Sequence, residues 1–384
     1  MNAYQIYSQL LFARAGAQGV PLSGTFELTP RCNFSCRMCY IHRTQNDAAA
    51  LAHERPAADW LRLAEACCRA GTLQLLLTGG EPLLHPDFRE IYTGCKRLGL
   101  MLSVNTNASL LDARMIEFLA KDPPLRVNIT LYGASPGTYG ALCGNAAAFE
   151  RTTAAIAALQ RAGILVKLNL SVTPYNRQDV PAIFSYAKEH GLPLQAVTYM
   201  FPPVRACEHG AFCADRMTPA EAAAEKLRCE RLRFSPDDCR SRWQSLLKGE
   251  AVPDPDAECQ ELPTRKLACR AGSSTFWVTW EHELRPCGMM TQPGVRLDGL
   301  PFQTAWQKLR EESSRILVPA KCSACPVRSA CDQCAAVCQA ESGSFTQPPD
   351  YLCRMTGEYL RMIRAACRDD AQPDAQCDVI SQQN

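Results

Sequence analysis

Between residues 24 and 199, short apolar runs alternate with longer stretches whose apolar positions recur every three or four residues. The short runs predict strands over 24–29, 73–78, 100–106, 125–131, 164–172 and 194–199. The longer stretches predict helices over 57–70, 86–98, 112–120, 148–162 and 179–190. Gly71, Gly99, Gly163 and Gly191 each stand just past one of these helices, where a left-handed residue ends the helix and glycine takes that conformation without steric cost. Asp122-Pro123-Pro124 stops the remaining helix, because proline lacks the amide donor and clashes with the preceding turn. Alternation of this kind argues for parallel βαβ units, and six of them with right-handed crossovers curl into a partial (β/α)6 barrel. Loops at the strand C-termini then share one opening.

The pattern changes after residue 202. Thr218-Pro219-Ala220-Glu221 combines an N-cap threonine, a proline in the first turn and a glutamate three residues on, predicting a helix to about residue 233. Ser235-Pro236-Asp237-Asp238 and Pro253-Asp254-Pro255-Asp256 read as turns or linker. From Cys269 to Cys353 the chain is dense in cysteine and short of long periodic elements, as expected of a small domain held by metal more than by an apolar core. The expected organisation is a lead segment over 1–23, the α/β partial barrel over 24–205, a helical bridge over 206–263, a cysteine-rich domain over 264–360 and a polar, disordered tail over 361–384.

The 384 residues leave room for a catalytic domain and a second module. A formal net charge of +2 gives no reason to expect nucleic acid or an anionic membrane as partner. No apolar run approaches the roughly 18 residues of a membrane span. The 22 cysteines would suggest disulfides in a short secreted chain, but this chain is long and its first residues carry no basic leading region. The expected location is the cytoplasm, where thiols stay reduced and open to metal.

Cys32-Asn33-Phe34-Ser35-Cys36-Arg37-Met38-Cys39-Tyr40 follows the first predicted strand and spaces three cysteines CxxxCxxC. Three thiolates can hold three irons of a [4Fe-4S] cube and leave the fourth iron open to a small molecule. A closed zinc site would need a fourth protein ligand, for which His42 is the near candidate. Thr78-Gly79-Gly80-Glu81-Pro82 ends the second predicted strand at the same opening, with two glycines that let backbone approach a ligand and a carboxylate that can receive an ammonium group. Together these segments resemble the radical SAM enzymes. By that resemblance Cys32, Cys36 and Cys39 hold a [4Fe-4S] cluster whose open iron is chelated by S-adenosylmethionine, and Gly79, Gly80 and Glu81 bind its methionyl amino group. Tyr40 would lie against the adenine, Asn107 belongs to a segment like the TNG-type one of the superfamily, and Thr130 would reach the cosubstrate carboxylate.

A second set comprises Cys322, Cys325, Cys331, Cys334 and Cys338, with Cys269 and Cys287 upstream and Cys353 downstream. It resembles the SPASM extension of radical SAM enzymes, which holds two auxiliary [4Fe-4S] clusters. Two departures stand out: the three-residue step after Cys331 lands on Ala335, between Cys334 and Cys338, and His282 stands in place of the usual glycine before Cys287. The resemblance implies one cluster on Cys322, Cys325, Cys331 and Cys353 and another on Cys269, Cys287, Cys334 and Cys338, or else an arrangement with one open iron and Cys334 or Cys338 unligated. A zinc ribbon on Cys322, Cys325, Cys331 and Cys334 is the alternative from spacing alone. Cys67, Cys68, Cys95, Cys229 and Cys239 share no spacing and read as core, with Cys143 set apart because Leu142-Cys143-Gly144 follows the fourth strand near the barrel mouth.

The resemblance implies an enzyme that generates a 5′-deoxyadenosyl radical and takes a hydrogen atom from a peptide or protein substrate. It also implies a reducing partner such as flavodoxin or ferredoxin. Fewer than 25 residues precede the first predicted strand, so leader recognition would fall to a separate protein. The other readings are a small-molecule SPASM enzyme, such as one altering a porphyrin side chain, and a non-enzymatic iron–sulfur electron carrier or zinc protein.

Overall fold

The computed structural model of the protein describes residues 3–41, 43–202, 204–205, 216–248 and 269–369. In chain order the elements are helix α1 (Ala3–Gln18), strands β1 (Ser23–Glu27), β2 (Arg31–Cys32) and β3 (Arg43–Thr44), and helices α2 (Ala48–His53) and α3 (Ala57–Arg69). There follow β4 (Gln74–Thr78), α4 (Phe88–Arg97), β5 (Met101–Thr106), α5 (Ala113–Lys121), β6 (Arg126–Thr130), α6 (Pro136–Cys143), α7 (Ala148–Arg161), β7 (Val166–Ser171), α8 (Val180–Glu189) and β8 (Leu194–Val197). The remaining elements are α9 (Pro219–Arg233), α10 (Pro236–Lys248), β9 (Thr275–Val278), β10 (Glu283–Arg285), β11 (Val295–Arg296), α11 (Phe302–Ser314), α12 (Ala320–Ser323), α13 (Ala335–Ser342) and α14 (Asp350–Asp369).

All six strands and five helices expected of the barrel are present, with ends displaced by a few residues. Strands β1 and β4 to β8 pair in parallel in that order. Their register sets Glu27 beside Thr78, Leu77 beside Val104, Thr106 beside Ile129 and Thr130 beside Asn169, so the C-terminal strand ends open on one side. The core forms because each helix carries its apolar residues on one face. In α3 these are Trp60, Leu63, Ala64 and Cys67, a three-and-four spacing that buries them against Phe26 and the sheet. Each fully buried side chain of this kind contributes about 1.5–3 kcal/mol.

The sheet does not stop at the barrel. Strand β9 adds in parallel to the free edge of β1, and β10 and β11 extend it antiparallel, giving nine strands in the order β11-β10-β9-β1-β4-β5-β6-β7-β8. Gly24 explains how β9 reaches β1, since a Cβ there would stand 2.2 Å from the Phe276 ring. The cysteine-rich region is therefore hydrogen-bonded to the first barrel strand and shares its core.

Three segments differ from their sequence reading. Ser235 to Asp238 opens α10 rather than making a turn: the Ser235 hydroxyl accepts the Asp238 amide at 3.2 Å, and Pro236 needs no donor in the first turn. The tail expected from residue 361 is helical to Asp369, because α14 is amphipathic and buries Leu360 and Ile363 against α9 and α10. The lead segment holds α1, whose Phe12 and Ala15 pack with Leu22. The linker at Pro253 to Asp256 and residues 370–384 lie outside the described residues.

Candidate active site

The cysteine loop begins where β1 ends, and the glycine pair after β4 holds it there. Gly80 donates its amide to the Thr29 carbonyl and Glu81 to the Arg31 carbonyl, each at 2.8 Å. A Cβ on Gly79 would meet the Thr29 carbonyl oxygen at 2.4 Å, and one on Gly80 would meet the Arg31 carbonyl oxygen at 2.4 Å. Only glycine permits this approach. Arg31 fixes the loop from the other side, donating to both Glu54 oxygens at 2.7 and 2.9 Å and to the carbonyls of Gln45 and Leu84.

Glu81 is fully buried and accepts three hydrogen bonds, from the Thr106 hydroxyl, the Asn107 amide and the Leu83 amide. Burial pushes its pKa up to about 7 while these donors pull it down. The carboxylate thus ties the β4 end to the β5 end. Asn107 then reaches back to the cysteine loop, its amide nitrogen donating to Asn33 at 2.9 Å and lying 3.8 Å from the Cys32 sulfur. The Phe34 amide points at the same sulfur from 3.4 Å. Thr130 closes β6 opposite Asn169 with its side chain half-buried.

Tyr40 lies under the guanidinium of Arg205, 5.3 Å from its ring centre. Arg205 binds both oxygens of the wholly buried Glu27, at 2.6 and 2.7 Å, and the Gly288 carbonyl at 2.8 Å. The Trp277 indole donates to the same carboxylate. One buried cation thereby joins β1, the end of the cysteine loop and the segment beside Cys287. Sequence reasoning missed Glu27 and Arg205; a glutamate ending an apolar strand was the available signal.

In the C-terminal region Cys269, Cys287 and Cys334 line one cavity of about 340 Å³. Ala271 donates its amide to the Cys269 sulfur at 3.4 Å and Met289 to the Cys287 sulfur at 3.5 Å, and the amides of Ala336 and Val337 near Cys334 favour its thiolate. Cys322, Cys325, Cys331 and Cys353 form a second neighbourhood, each within electrostatic reach of others in it. Cys338 is fully buried between the two sets, close to Cys334, Cys331 and Cys322, and its sulfur accepts the Gln333 amide at 3.1 Å. It does not line the cavity of the other three.

The donor set fits iron–sulfur ligation. Burial pushes Cys32 and Cys322 up to about 12, so a thiolate at either position calls for a cationic partner such as iron. Amides aimed at sulfur favour the anionic form as well. Among the described residues no three His, Cys, Asp or Glu side chains are placed to hold a single ion. The described cysteines form no disulfide.

Between the two regions lies a cavity of about 610 Å³. Cys39 and Tyr40 reach it from the barrel side, and Met289 and Cys334 from the other. Its walls are mostly apolar, and Lys226, Glu230, Arg233, Arg242 and Asp332 supply charge.

Comparison with known proteins gives this geometry a family. The sequence pattern of the Radical SAM superfamily matches residues 26–187. Residues 26–187 form a radical SAM domain, and the chain is an enzyme. Membership of this superfamily implies a [4Fe-4S] cluster and S-adenosylmethionine. The AdoMet-dependent heme synthase of Methanosarcina barkeri is 24% identical over 348 residues, covering 87% of this chain and 96% of that protein. The PqqA peptide cyclase of Gluconobacter oxydans is 30% identical over 171 residues, 44% of this chain and 47% of that protein. Among solved structures, Streptococcus suis SuiB bound to precursor peptide SuiA superposes with a TM-score of 0.64 at 17% identity, covering 90% of this chain and 81% of SuiB. The anSMEcpe enzyme with bound AdoMet and Cp18Cys peptide gives a TM-score of 0.64 at 15% identity, covering 91% and 99%. The fold is shared along nearly the whole length of this chain, the cysteine-rich C-terminal region included. No described helix is long and apolar enough to cross a membrane.

Proposed function

We propose that the enzyme cleaves S-adenosylmethionine reductively and takes a hydrogen atom from a peptide or protein, as a post-translational maturase. The observation that carries this reading is the 610 Å³ cavity, which runs from Cys39 and Tyr40 to Cys334. Cys32, Cys36 and Cys39 hold the site cluster, and the C-terminal cysteines hold two auxiliary clusters, one on Cys322, Cys325, Cys331 and Cys353 and one that includes Cys269, Cys287 and Cys334. When bound, the site cluster and S-adenosylmethionine supply a 5′-deoxyadenosyl radical able to break an unactivated C–H bond.

The chain's own residues do the rest. Glu81, with the Gly79–Gly80 backbone, shapes the place for the methionyl amino group; Asn107 and Thr130 line the same opening. Tyr40 offers its ring to the adenine and is held by Arg205. Tyr199, Phe201, Val337 and Met355 keep the cavity apolar and exclude water from the radical. At the mouth Lys226 is paired with Asp332 at 2.7 Å, and Glu230 is held by Trp243 and Tyr359. Arg233 and Arg242 have no carboxylate partner among the described residues, which suits a substrate that brings an acidic group beside an apolar side chain.

The peptide reading is supported by neighbours whose structures hold peptides. A porphyrin substrate is the second reading, favoured by the likeness to heme synthases over most of the chain. Anaerobic reconstitution, an iron count and a search for 5′-deoxyadenosine after reduction test the enzyme class. Titration with a carboxylated porphyrin then separates the substrates: an unmoved Soret band supports the peptide reading, and a saturable shift at one equivalent overturns it.

A further inference from the structure

Arg205 and Glu27 form a largely buried ion pair, with the Glu27 side chain wholly enclosed and that of Arg205 13% exposed. Such a pair adds little net stability over apolar residues of the same size, because lost hydration offsets the attraction. What it supplies is a fixed place for a guanidinium with several donors. The Nη1 group donates to both Glu27 oxygens, at 2.6 and 2.7 Å, and Nη2 donates to the Gly288 carbonyl at 2.8 Å. The cation then stands over the Tyr40 ring, 5.3 Å from its centre. The Gly288 end of this bridge is set as closely as the Glu27 end. A Cβ on Gly288 would stand 2.8 Å from the Trp277 ring, so the glycine lies against the indole, and the indole nitrogen donates to Glu27 at 3.1 Å. Arg205, Glu27, Trp277 and Gly288 thereby close a ring of contacts.

Gly288 directly follows Cys287, in a turn that the Met290 amide closes on the Cys287 carbonyl at 3.1 Å. The Met289 amide donates to the Cys287 sulfur at 3.5 Å, and Met289 lines the 610 Å³ cavity across from Tyr40. A single side chain therefore touches the ring that ends the cysteine loop and the peptide that follows a cysteine of the other region. We propose that Arg205 is a positioning residue that couples the two cofactor sites: it holds the Tyr40 ring for the adenine of S-adenosylmethionine, and ligation of Cys287 strengthens that hold. This rests on Tyr40 meeting the adenine and on Cys287 being an auxiliary-cluster ligand, as in the function proposed above. Ligation of Cys287 restrains the turn over 287–290, which keeps the Gly288 carbonyl on Arg205 and the guanidinium over Tyr40. With Cys287 unligated, Arg205 has lost one of its two fixed points. The adenine then meets a ring that must be ordered on binding, and that ordering costs affinity.

The test is equilibrium dialysis of S-adenosylmethionine against the reconstituted full chain, with iron and melting temperature read on the same samples. Glu27→Gln together with Arg205→Met removes the pair without leaving a buried charge unpaired. This double variant is expected to keep its iron and most of its melting temperature, and to bind S-adenosylmethionine about tenfold more weakly than the parent. A merely structural role would leave affinity with the melting temperature. Cys287→Ala is expected to weaken binding about tenfold in the parent and to cause no further loss in the double variant. Gly288→Ala drives a methyl into the Trp277 ring with the ion pair, Tyr40 and every cysteine in place, and is expected to weaken binding as well. Equal affinity in the parent and the double variant overturns the proposal alone, as does a Cys287→Ala loss of the same size in both backgrounds or an unchanged affinity in Gly288→Ala. A parent chain that carries its iron and binds no S-adenosylmethionine overturns the cofactor assignment and the proposal with it.

Discussion

The two cysteine-bearing regions of this molecule are built on opposite terms. The loop from Cys32 to Cys39 is short, yet long-range bonds hold it from every side: Gly80 and Glu81 at its base, Asn107 at Asn33, Leu142 and Cys143 at its crest, and Arg31 clamped to Glu54. The segment from Cys322 to Cys338 lies on α12, a 3-10 turn and the start of α13, and its main-chain bonds mostly span three or four residues. The first region has its shape from the sheet. On the proposed ligation the second takes its shape from what its thiols bind, as small metal domains do.

The largest expected effect breaks the first region chemically. Changing Cys32, Cys36 and Cys39 to Ala should abolish 5′-deoxyadenosine formation and remove about one third of the iron, assuming three cubes, with the C-terminal share kept. Retained cleavage would refute the ligand assignment. Removing all iron with a chelator sharpens the contrast in the other direction. Hydrogen exchange should then rise strongly over 320–353 and little over 24–41, because only the former loses its organising contacts. Equal loosening of both would mean that the barrel loop also takes its shape from metal.

Arg205 comes next, as the residue that joins the two regions. Arg205→Met leaves the Glu27 carboxylate buried without its cation, a change that costs about 3–5 kcal/mol. Calorimetry should show a lower melting temperature, and Glu27→Gln in the same chain should recover much of the loss. A melting temperature unchanged by Arg205→Met would show that the Glu27 charge is balanced elsewhere. A smaller effect is expected at the base of the loop. Gly80→Ala pushes a methyl into the Arg31 and Pro30 carbonyls, an overpacking of about 1–3 kcal/mol. It should weaken S-adenosylmethionine binding and leave auxiliary iron unchanged, as read by equilibrium dialysis and iron assay.

Much of this was legible in the sequence because the barrel obeys local rules. Apolar periodicity located the six barrel strands, and glycines such as Gly71 and Gly163 sit where the helices end with φ of +101° and +72°. What escaped were features made by long-range pairing. That β9 joins β1 is invisible in a run as short as Thr275–Val278, and the Arg205–Glu27 bond spans 178 positions. Ser235-Pro236 reads equally as a turn or a helix start, and only tertiary cover from α14 decides for the helix. The bonds from the Ser35 and Arg37 amides to the carbonyls of Cys143 and Leu142 likewise depend on how the end of α6 packs, which spacing alone does not reveal.

The smallest effect tests the rule by which ligand cysteines were told from the others. Cys67 and Cys95 are fully buried on the core faces of α3 and α4, and desolvation pushes both thiols up, Cys95 to about 12. By raised pKa they look like Cys32. They differ in their surroundings, since α3 and α4 pack Trp60, Leu63, Ile91 and Tyr92 around them and no main-chain amide is directed at either sulfur among the described hydrogen bonds. Each should therefore behave as a small hydrophobe. Cys67→Ala and Cys95→Ala should each lower stability by about 1 kcal/mol, in line with an ordinary core truncation, and leave iron content and nucleoside release unchanged. If either variant lost iron, amides aimed at sulfur would no longer mark the ligands, and the same doubt would fall on Cys269, Cys287 and Cys334, whose assignment leans on that feature.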